Sequence, residues 1–313
     1  PVEAEPGAAP IAAGDTVLIL GKPWDDAGLQ ARLDAEKATV GFRIVELVYD
    51  LVPSLVPHLH HPSLTVPYTR QMFRQAQTSD RLLAISESSR RDYEEFCRRL
   101  ALPCPPIDVI RIADRLGGIA AAGRESDALP AGVDEAFMLC VGTVEVRKNH
   151  ALLYAAVKLA AERGIPLPQL VIVGGHGWLV DETWNNLTRD PAVRDSIRVL
   201  SSVDDELLDR LYRLAAFTVY PSKYEGWGLP VAEALAQGRA VAASSSSSIP
   251  EIGGDLVRYF SPYSVDECLE ALVELSDPVA RAAAEARIRA EYVATSWDDT
   301  AAQVRASLAA LDR

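Results

Sequence analysis

The chain has 313 residues, of which 49% are hydrophobic, and a formal net charge of −13 at pH 7. This hydrophobic content suffices for packed cores and excludes wholesale disorder, and the length favours two domains. The acidic balance, without a basic stripe to neutralise phosphates, excludes nucleic acid as an expected partner. It also disfavours a broad attraction to anionic lipid.

The four cysteines are scattered and form no C-x-x-C pair; they are Cys97, Cys104, Cys140 and Cys268. We interpret them as reduced thiols of a cytoplasmic protein, neither a disulfide framework nor a zinc site. No window reaches the roughly 18 apolar residues that a membrane-spanning helix needs, and no signal peptide is visible. Because the sequence starts at Pro1 without Met, a missing natural N-terminus stays open. The arginine pairs at 90–91 and 98–99 are the candidates for peripheral contact with the inner face of a membrane, with solvated helix faces as the plainer alternative.

The first half of the chain alternates predicted strands and helices. Residues 1–13 are rich in Pro, Ala, Gly and Glu and predict a flexible lead-in. Apolar runs predict strands at residues 15–20, 43–48, 81–85 and 109–112. Helical spacing and capping residues predict helices at 27–38, 68–78 and 86–99. A Gly/Ala/Asp linker is expected at 116–136.

The second half continues the alternation. Strands are predicted at residues 137–143, 169–173, 197–200, 214–220 and 240–243. Helices are predicted at 150–162, 204–214, 231–236, 265–275, 280–292 and 297–311. These spacings favour a parallel, doubly wound α/β sheet, in which ligands bind beyond the carboxyl ends of the strands.

The stretch Y-P-S-K-Y-E-G-W-G-L-P-V-A-E, residues 220–233, joins a predicted strand to a predicted helix. Pro230 suits the first helical position, where its missing N–H would have no partner in any case. The amides of Gly228 and Leu229 would then point out of a helix N-terminus, whose dipole favours negative charge. The stretch therefore predicts a phosphate or anion site.

Two carboxylates flank this predicted anion site, Glu225 at the apex of the loop and Glu233 in the first turn of the helix. A bound phosphate would repel Glu233, so we expect it to face neutral ribose hydroxyls, while Glu225 accepts hydrogen bonds from sugar hydroxyls. Each also has a plainer interpretation, Glu233 as an acid that complements the helix dipole and Glu225 as a solvated loop residue. Their combination with Gly226, Trp227 and Gly228 favours ligand binding.

Arg147 and Lys148 form a second candidate site, because these adjacent cations follow the strand-end residues Gly142 and Thr143 and precede a helix. Lysine as a point charge and arginine as a bidentate fork suit a diphosphate. A basic pair on a solvated turn is the plainer alternative. The Gly-Gly pair at 174–175 follows the next strand, but no G-x-G-x-x-G accompanies it, so a dinucleotide fingerprint is rejected.

The motif E-G-W-G-L-P-V-A-E resembles the E-x7-E signature of the retaining glycosyltransferases of family four, most of all the mannosyltransferases of bacterial polysaccharide and O-antigen assembly. The resemblance covers about residues 14–297 and is strongest over 137–261. It implies the GT-B fold, in which two Rossmann-like, doubly wound domains face each other across a cleft. The implied boundaries are an acceptor-side domain at 1–134, a nucleotide-sugar donor domain at 135–290 and a helix at 291–313 that crosses back to the first domain.

The same resemblance implies a role for each candidate residue. Arg147 and Lys148 would neutralise the leaving diphosphate without a divalent metal. Glu225 would hold sugar hydroxyls and Glu233 the ribose. The other donor-binding candidates are Gly142, Thr143, Gly174, Ser202, Val203, Gly226, Trp227, Gly228 and Leu229. Neither glutamate is assigned the acid, base or nucleophile role of a glycosidase, because both are placed for donor binding.

The first half departs from the family pattern beside the reacting sugar. Family members carry a histidine in an H-D-x-x-P-like segment, whereas this chain has Tyr49 followed by Asp50. Tyrosine donates one hydrogen bond but cannot serve as a near-neutral base. Either Tyr49 suits this subfamily, or acceptor chemistry relies on Asp50 and on His58, His60 or His61. These histidines lack the spacing of an H-E-x-x-H site, so a metal is not expected.

The first domain is also expected to be shortened, because the glycine-rich loop after the family's first strand is missing. It could be a compact variant, a fragment or one module of a longer chain. The expected activity is transfer of a sugar, first of all mannose from GDP-mannose, to a hydroxyl of a glycan or lipid-linked acceptor, with retention and without a cofactor. Two alternatives stay open, a non-catalytic module that binds a nucleotide sugar and a hydrolase or epimerase on the same fold. The acceptor, the linkage and the oligomeric state are undetermined.

Overall fold

A computed structural model describes residues 10–114 and 128–312 of the chain. Its first sheet has four parallel strands in the order β1-β2-β3-β4. They are β1 (Thr16–Ile19), β2 (Arg43–Val48), β3 (Arg81–Ala84) and β4 (Ile107–Val109). The fourth strand was predicted at 109–112, but it starts two residues earlier and ends at Val109. Parallel strands need crossover connections, and helices supply them.

The crossover helices of the first half are α1 (Ala27–Val40), α2 (Val52–Leu55), α3 (Pro62–Thr78) and α4 (Glu87–Arg99). Side chains alternate along β2, so that Ile44 and Val48 belong to the clusters with these helices, while Val45 belongs to the opposite face. Residues 62–67, which were not predicted as helical, start α3, and Pro67 is accommodated inside it. Residues 1–9, which make up most of the predicted lead-in, lie outside the described part of the chain.

The second sheet has six parallel strands in the order β10-β9-β8-β5-β6-β7. They are β5 (Phe137–Val141), β6 (Gln169–Val173), β7 (Ile197–Leu200), β8 (Phe217–Tyr220), β9 (Val241–Ser244) and β10 (Arg258–Phe260). The chain starts in the middle of the sheet at β5, extends to one side through β7, and then returns to β8 on the other side of β5. The order therefore reverses between β5 and β8, the kind of position where open α/β sheets bind ligands.

Helices cover both faces of the second sheet, as expected for a doubly wound fold. They are α5 (His150–Glu162), α6 (Asp181–Arg189), α7 (Asp205–Leu214), α8 (Leu229–Ala236), α9 (Ile249–Gly253), α10 (Val265–Ser276) and α11 (Pro278–Glu291). Met138 and Cys140 pack with α5 and α10, whereas Phe137 and Leu139 pack with α7 and α8. The predicted strand at 214–220 is shorter than expected because α7 continues to Leu214. Helix α6 and strand β10 had not been predicted.

Helix α12 (Trp297–Ala309) follows the second sheet in sequence but packs on the first. Its residues Val304 and Leu308 lie in one cluster with Val45 and Leu83, on the face of the first sheet opposite the crossover helices. Ser307 donates a hydrogen bond to Asp108 at 2.5 Å. The domain boundaries at 134 and 290 remain predictions, and residues 115–127 of the predicted linker lie outside the described residues.

Across the described residues, no helix combines the length and the apolar character that crossing a bilayer requires. The arginines of α4 are engaged with acids rather than free. Arg98 and Arg99 both contact Glu95, and Arg90 contacts Glu87 and Glu94.

A buried ionic network holds α3 against β2, the strand that leads into Tyr49 and Asp50. Glu46 is fully buried and accepts hydrogen bonds from Arg74 at 2.7 Å and from Ser79 at 2.8 Å. Gln71 donates a further bond to the same carboxylate at 2.7 Å. The charge of Glu46 is therefore tolerated in the core because it is paired and hydrogen-bonded.

We predict that Arg74→Ala lowers the free energy of unfolding by ~3–5 kcal/mol, because it leaves Glu46 buried without its counter-ion. Urea or thermal denaturation measures the change. The control is Arg98→Ala, which breaks an exposed pair on α4 and should change stability by ~0.5 kcal/mol or less. Equal effects of the two substitutions would contradict the assigned role of the Glu46 network.

Candidate active site

The carboxyl ends of β5 and β8 bring the two predicted sites together at the point where strand order reverses. Arg147 and Lys148 lie in a short 3-10 turn, Val146–Lys148, in the loop after β5. Asn149 follows with a left-handed φ of 61° and donates to the carbonyl oxygens of Pro221 and Pro262 at 3.1 and 2.9 Å. The loop after β5 is thereby fastened to the loop after β8.

Glu225 lies at the centre of this arrangement. Its Oε2 accepts a hydrogen bond from Arg147 at 2.5 Å, and its Oε1 accepts one from Lys148 at 2.8 Å. Tyr220 and Ser222 donate two more bonds to Oε1, at 2.8 and 2.6 Å. Glu225 is only 7% exposed, so the interpretation as a solvated acid at the loop apex is wrong.

The charge of Glu225 depends on its cationic neighbours. Burial acts to raise the pKa of the carboxyl, but the charges and hydrogen bonds of Lys148 and Arg147 outweigh it and lower the pKa to about 2. In return the carboxylates of Glu225 and Glu145 raise the pKa of Arg147 against the effect of burial. Glu225 and Arg147 therefore both stay ionised over the physiological pH range.

Glu145 is a fourth member that sequence reasoning missed. It is 2% exposed and accepts a hydrogen bond from Arg147 at 2.7 Å, and burial raises its pKa. An acid two residues before a basic pair is the sequence feature that could have pointed to it. Tyr220 and Ser222 were also overlooked, although both stand in the Y-P-S-K-Y part of the motif.

Two donors of the cationic pair remain available. The Nε–H of Arg147 is buried and has no hydrogen-bond partner among the described residues. Lys148 has three N–H donors and uses two of them, on Tyr220 and Glu225. A buried donor without a partner is unfavourable unless a ligand or water occupies its place. Arg147 and Lys148 can therefore bind a further anion.

The predicted helix N-terminus is present, with small differences. Helix α8 begins at Leu229, so Pro230 is its second residue rather than its first. The amides of Gly228 and Leu229 donate to no described residue. Gly228 has a φ of +126°, and a Cβ there would press on Ile252 at 3.0 Å, so glycine is required at this position. Both amides are therefore unused donors at the N-terminus of α8.

Glu233 lies one turn inside α8, not in its first turn as predicted. Its carboxylate accepts a hydrogen bond from Tyr212 at 2.7 Å, and burial raises its pKa. The interpretation as an acid that complements the helix dipole is weakened by this position. One carboxylate oxygen keeps capacity for a hydroxyl donor such as a ribose.

Trp227 belongs to the core and not to an open surface. It is 4% exposed within the cluster of α7 and α8, and the guanidinium of Arg111 lies 5.3 Å from its ring centroid. Its predicted part in donor binding stays a prediction. Gly226 beside it has a clear steric reason, since a Cβ there would overlap the carbonyl oxygen of Tyr49.

The loop after β8 thus touches the end of β2 in the first half. Asp50 lies against Gly226, and it experiences the charges of Arg147, Glu225 and Lys148. Burial raises the pKa of Asp50, while its side chain accepts a hydrogen bond from Val52 at 2.9 Å. The hydroxyl of Tyr49 donates instead to the carbonyl of Leu20 at 2.5 Å. Asp50 is therefore part of the site around Glu225, whereas the hydroxyl of Tyr49 is not.

Helix α4 contributes further contacts between the halves. Ser89 donates to the carbonyl oxygens of Tyr49 and Gly226 at 3.0 and 3.4 Å. The carboxylate of Glu251 accepts hydrogen bonds from the amides of Glu87 and Ser88, both at 2.7 Å. A carboxylate of the second half thus caps a helix of the first half.

The remaining donor-binding candidates surround the cluster at varying distance. Gly142 has a φ of +145°, and a Cβ added at this residue would lie 3.7 Å from the Lys148 side chain. Gly174 packs so closely on the backbone of Gly142 that a side chain would overlap it. Thr143 and Ser202 are exposed, and Val203 packs on the core of the second half. The structure places these three along the same sheet edge without a contact to Glu225.

Of the three histidines only His60 approaches the cluster. Burial and the charge of Arg147 lower its pKa, and its ring lies 5.3 Å from that of Trp178 across the two halves. His58 and His61 are exposed. Over residues 10–114 and 128–312, no group of three His, Cys, Asp or Glu side chains is placed to hold a metal ion.

Comparison with known proteins assigns the family. The sequence profile of the family described as "Glycosyl transferases group 1" matches residues 123–287, more than half of the chain. O-antigen chain mannosyltransferase B of Escherichia coli is 32% identical over 270 residues, which are 83% of this chain and 68% of that protein. The MMP alpha-(1->4)-mannosyltransferase of Mycolicibacterium hassiacum is 27% identical over 67% of this chain and 55% of its own length.

Solved structures show the same fold at lower identity. A trehalose-6-phosphate synthase, studied for enzymatic glycosyltransfer with retention, superposes with a TM-score of 0.68 at 15% identity, over 90% of this chain and 70% of that one. The resemblance found in E-G-W-G-L-P-V-A-E is therefore confirmed. The chain belongs to the group 1 glycosyltransferases and has the GT-B fold, with one parallel sheet of four strands and one of six.

Proposed function

We propose that the chain transfers a mannosyl group from GDP-mannose, with retention, to a hydroxyl of a glycan or lipid-linked acceptor in polysaccharide synthesis. The observation that carries the proposal is the cationic pair at the switch point of the second sheet, with donors still unused. The names of the two mannosyltransferases support the sugar, and the retaining synthase supports the stereochemistry. The choice of guanine as the nucleobase of the donor is based on the sequence resemblance.

The donor diphosphate would bind where the positive charges converge. Arg147 Nε and the third proton of Lys148 supply donors from one side, and the amides of Gly228 and Leu229 supply them from the other. Fixed cations and a helix N-terminus stabilise the charge that develops on the leaving diphosphate. We therefore propose that neither a divalent metal nor a cofactor is needed.

Glu225 would act mainly by holding this machinery in place. Four hydrogen bonds from protein groups occupy its carboxylate, which leaves Oε2 with capacity for a sugar hydroxyl. A carboxylate with a pKa of about 2 is a poor base, so the role of a glycosidase acid or base does not fit it. Glu233 would accept a hydrogen bond from the ribose.

Asp50 would face the sugar from the first half. Burial raises its pKa, so the carboxyl stays protonated to a higher pH than that of an exposed aspartate, and the protonated form can donate a hydrogen bond and does not repel a diphosphate. The acceptor would enter between Asp50 and His60, on the side of the first sheet. We propose a cytoplasmic location; the pairing of the α4 arginines with acids gives no support to membrane contact through them.

We predict that Lys148→Ala weakens binding of GDP about 10- to 150-fold, which corresponds to ~1.5–3 kcal/mol for a lost charged hydrogen bond. Calorimetric titration with GDP, UDP and ADP in the presence of EDTA measures the dissociation constants. The control is Lys158→Ala, whose ammonium pairs with Asp190 away from the sheet edge and should leave GDP binding unchanged.

The same titrations decide between the alternatives. Absence of GDP binding by the parent protein would exclude the proposed donor. Binding of GDP-mannose without turnover towards any mannoside acceptor would favour a non-catalytic module. Release of free mannose or an epimerised nucleotide without acceptor would identify a hydrolase or an epimerase.

We predict a pH dependence of GDP-mannose binding that originates in Asp50. Both phosphates of this ligand keep their single charges between pH 5 and 9, so protein groups dominate. Since the pKa of Asp50 is raised, the carboxyl is neutral at low pH and becomes an anion as pH rises through that pKa. Affinity should therefore fall as pH rises through the pKa of Asp50.

Asp50→Asn should keep, at every pH, the high affinity that the parent protein shows at low pH, because the amide stays neutral. The control Asp255→Asn, at a residue exposed beside Arg287, should reproduce the parent curve. A pH profile of Asp50→Asn identical to that of the parent would refute the assignment.

A further inference from the structure

The serine run at 244–248, which the proposed function leaves unused, lies against the loop that carries Glu225. Ser244 donates to the carbonyl of Ser222, and Ser246 donates to the carbonyl of Lys223, each at 2.5 Å. Ser245 is exposed, and its hydrogen bonds within the described part of the chain go to the backbone of Phe260. The hydroxyls of Ser244 and Ser246 therefore both hold the backbone of the loop that carries Glu225.

The last two serines act on Glu225 itself. The Oγ of Ser247 accepts a hydrogen bond from the Glu225 amide at 2.7 Å. The Oγ of Ser248 donates towards the carbonyl oxygens of Glu225 at 3.0 Å and of Trp227 at 2.7 Å. Both backbone polar groups of Glu225 are thus held by side-chain hydroxyls, one from each serine.

Burial and backbone geometry show that this contact is built into the fold. Ser248 is fully buried, so without its hydroxyl two backbone carbonyls would lose a partner away from water. Ser247 has a φ of +48°, a region that serine rarely adopts, and the surrounding structure has to hold it there. Strained residues of this kind concentrate at functional sites.

We propose that Ser247 and Ser248 are positioning residues that fix the backbone of Glu225, so that its carboxylate meets the sugar part of the donor. This inference rests on the proposed function. Arg147 and Lys148 come from a different loop, which Asn149 also fastens to Pro262 outside the Glu225 loop, so the diphosphate end of the site has an anchor that the serines do not provide. Loosening the serine contacts therefore affects the sugar end first.

The test compares GDP with GDP-mannose in calorimetric titrations of the parent protein, Ser248→Ala and Ser247→Gly. Glycine is chosen at 247 because it adopts the positive φ without strain. In both variants the dissociation constant for GDP should stay within threefold of the parent value. The extra affinity that the mannosyl group gives to GDP-mannose should fall at least tenfold, because small displacements of a contact group have large effects on reactive geometry.

Two control variants separate positioning from mere structural support. Ser246→Ala removes a hydroxyl-to-carbonyl bond of the same kind in the same turn, but not on Glu225. Ser245→Ala removes an exposed hydroxyl. Both should retain the mannosyl contribution, and binding stoichiometry with thermal unfolding confirms that each protein is folded.

The outcomes are distinct. An equal loss of the mannosyl contribution in Ser246→Ala and Ser248→Ala would overturn the inference, and so would an unchanged contribution in both Ser247→Gly and Ser248→Ala. A parent protein that binds GDP but gains no affinity from the sugar would overturn it as well. Failure of the parent to bind GDP at all would instead refute the proposed function.

Discussion

The structure of the site depends on one buried ionic contact, the carboxylate of Glu225 between Arg147 and Lys148. A charge in the interior is tolerated only when it is paired and fully hydrogen-bonded. Here the anion comes from the loop after β8 and the cations come from the loop after β5. Pairing them therefore fixes the two loops that border the switch point, and with them the direction of the α8 N-terminus.

A second contact, between the two halves, explains why glycine stands next to Glu225. The carbonyl of Tyr49 from the first half lies where a side chain at 226 would have to be. Backbone thus meets backbone between the two sheets, and Asp50 is brought to the cationic cluster. A site assembled from both halves can bind a donor on one side and present the reacting atom to the other, which suits group transfer.

Much of this could be predicted from sequence, because parallel strands place their carboxyl ends at one edge. The loops at 142–148 and 220–229 follow directly from strand ends, so their convergence needed only the alternating pattern. The pairing of Glu225 with Arg147 and Lys148 could not be predicted from the sequence. Whether Glu225 is solvated or enclosed depends on Tyr220, Ser222 and Glu145 around it, and no spacing rule encodes such three-dimensional neighbours. Short strands such as β10 were missed because three residues give almost no periodic signal.

The position of α12 has a consequence for how the chain folds. Val304 and Leu308 cover Val45 and Leu83, so one face of the first sheet finds its apolar cover more than two hundred residues later in the sequence. Contacts of such large sequence separation form late and slow folding. During synthesis an apolar face of the first sheet therefore stays exposed until the second half and α12 have been made. The first sheet thus depends on a helix from the other end of the chain to complete its core.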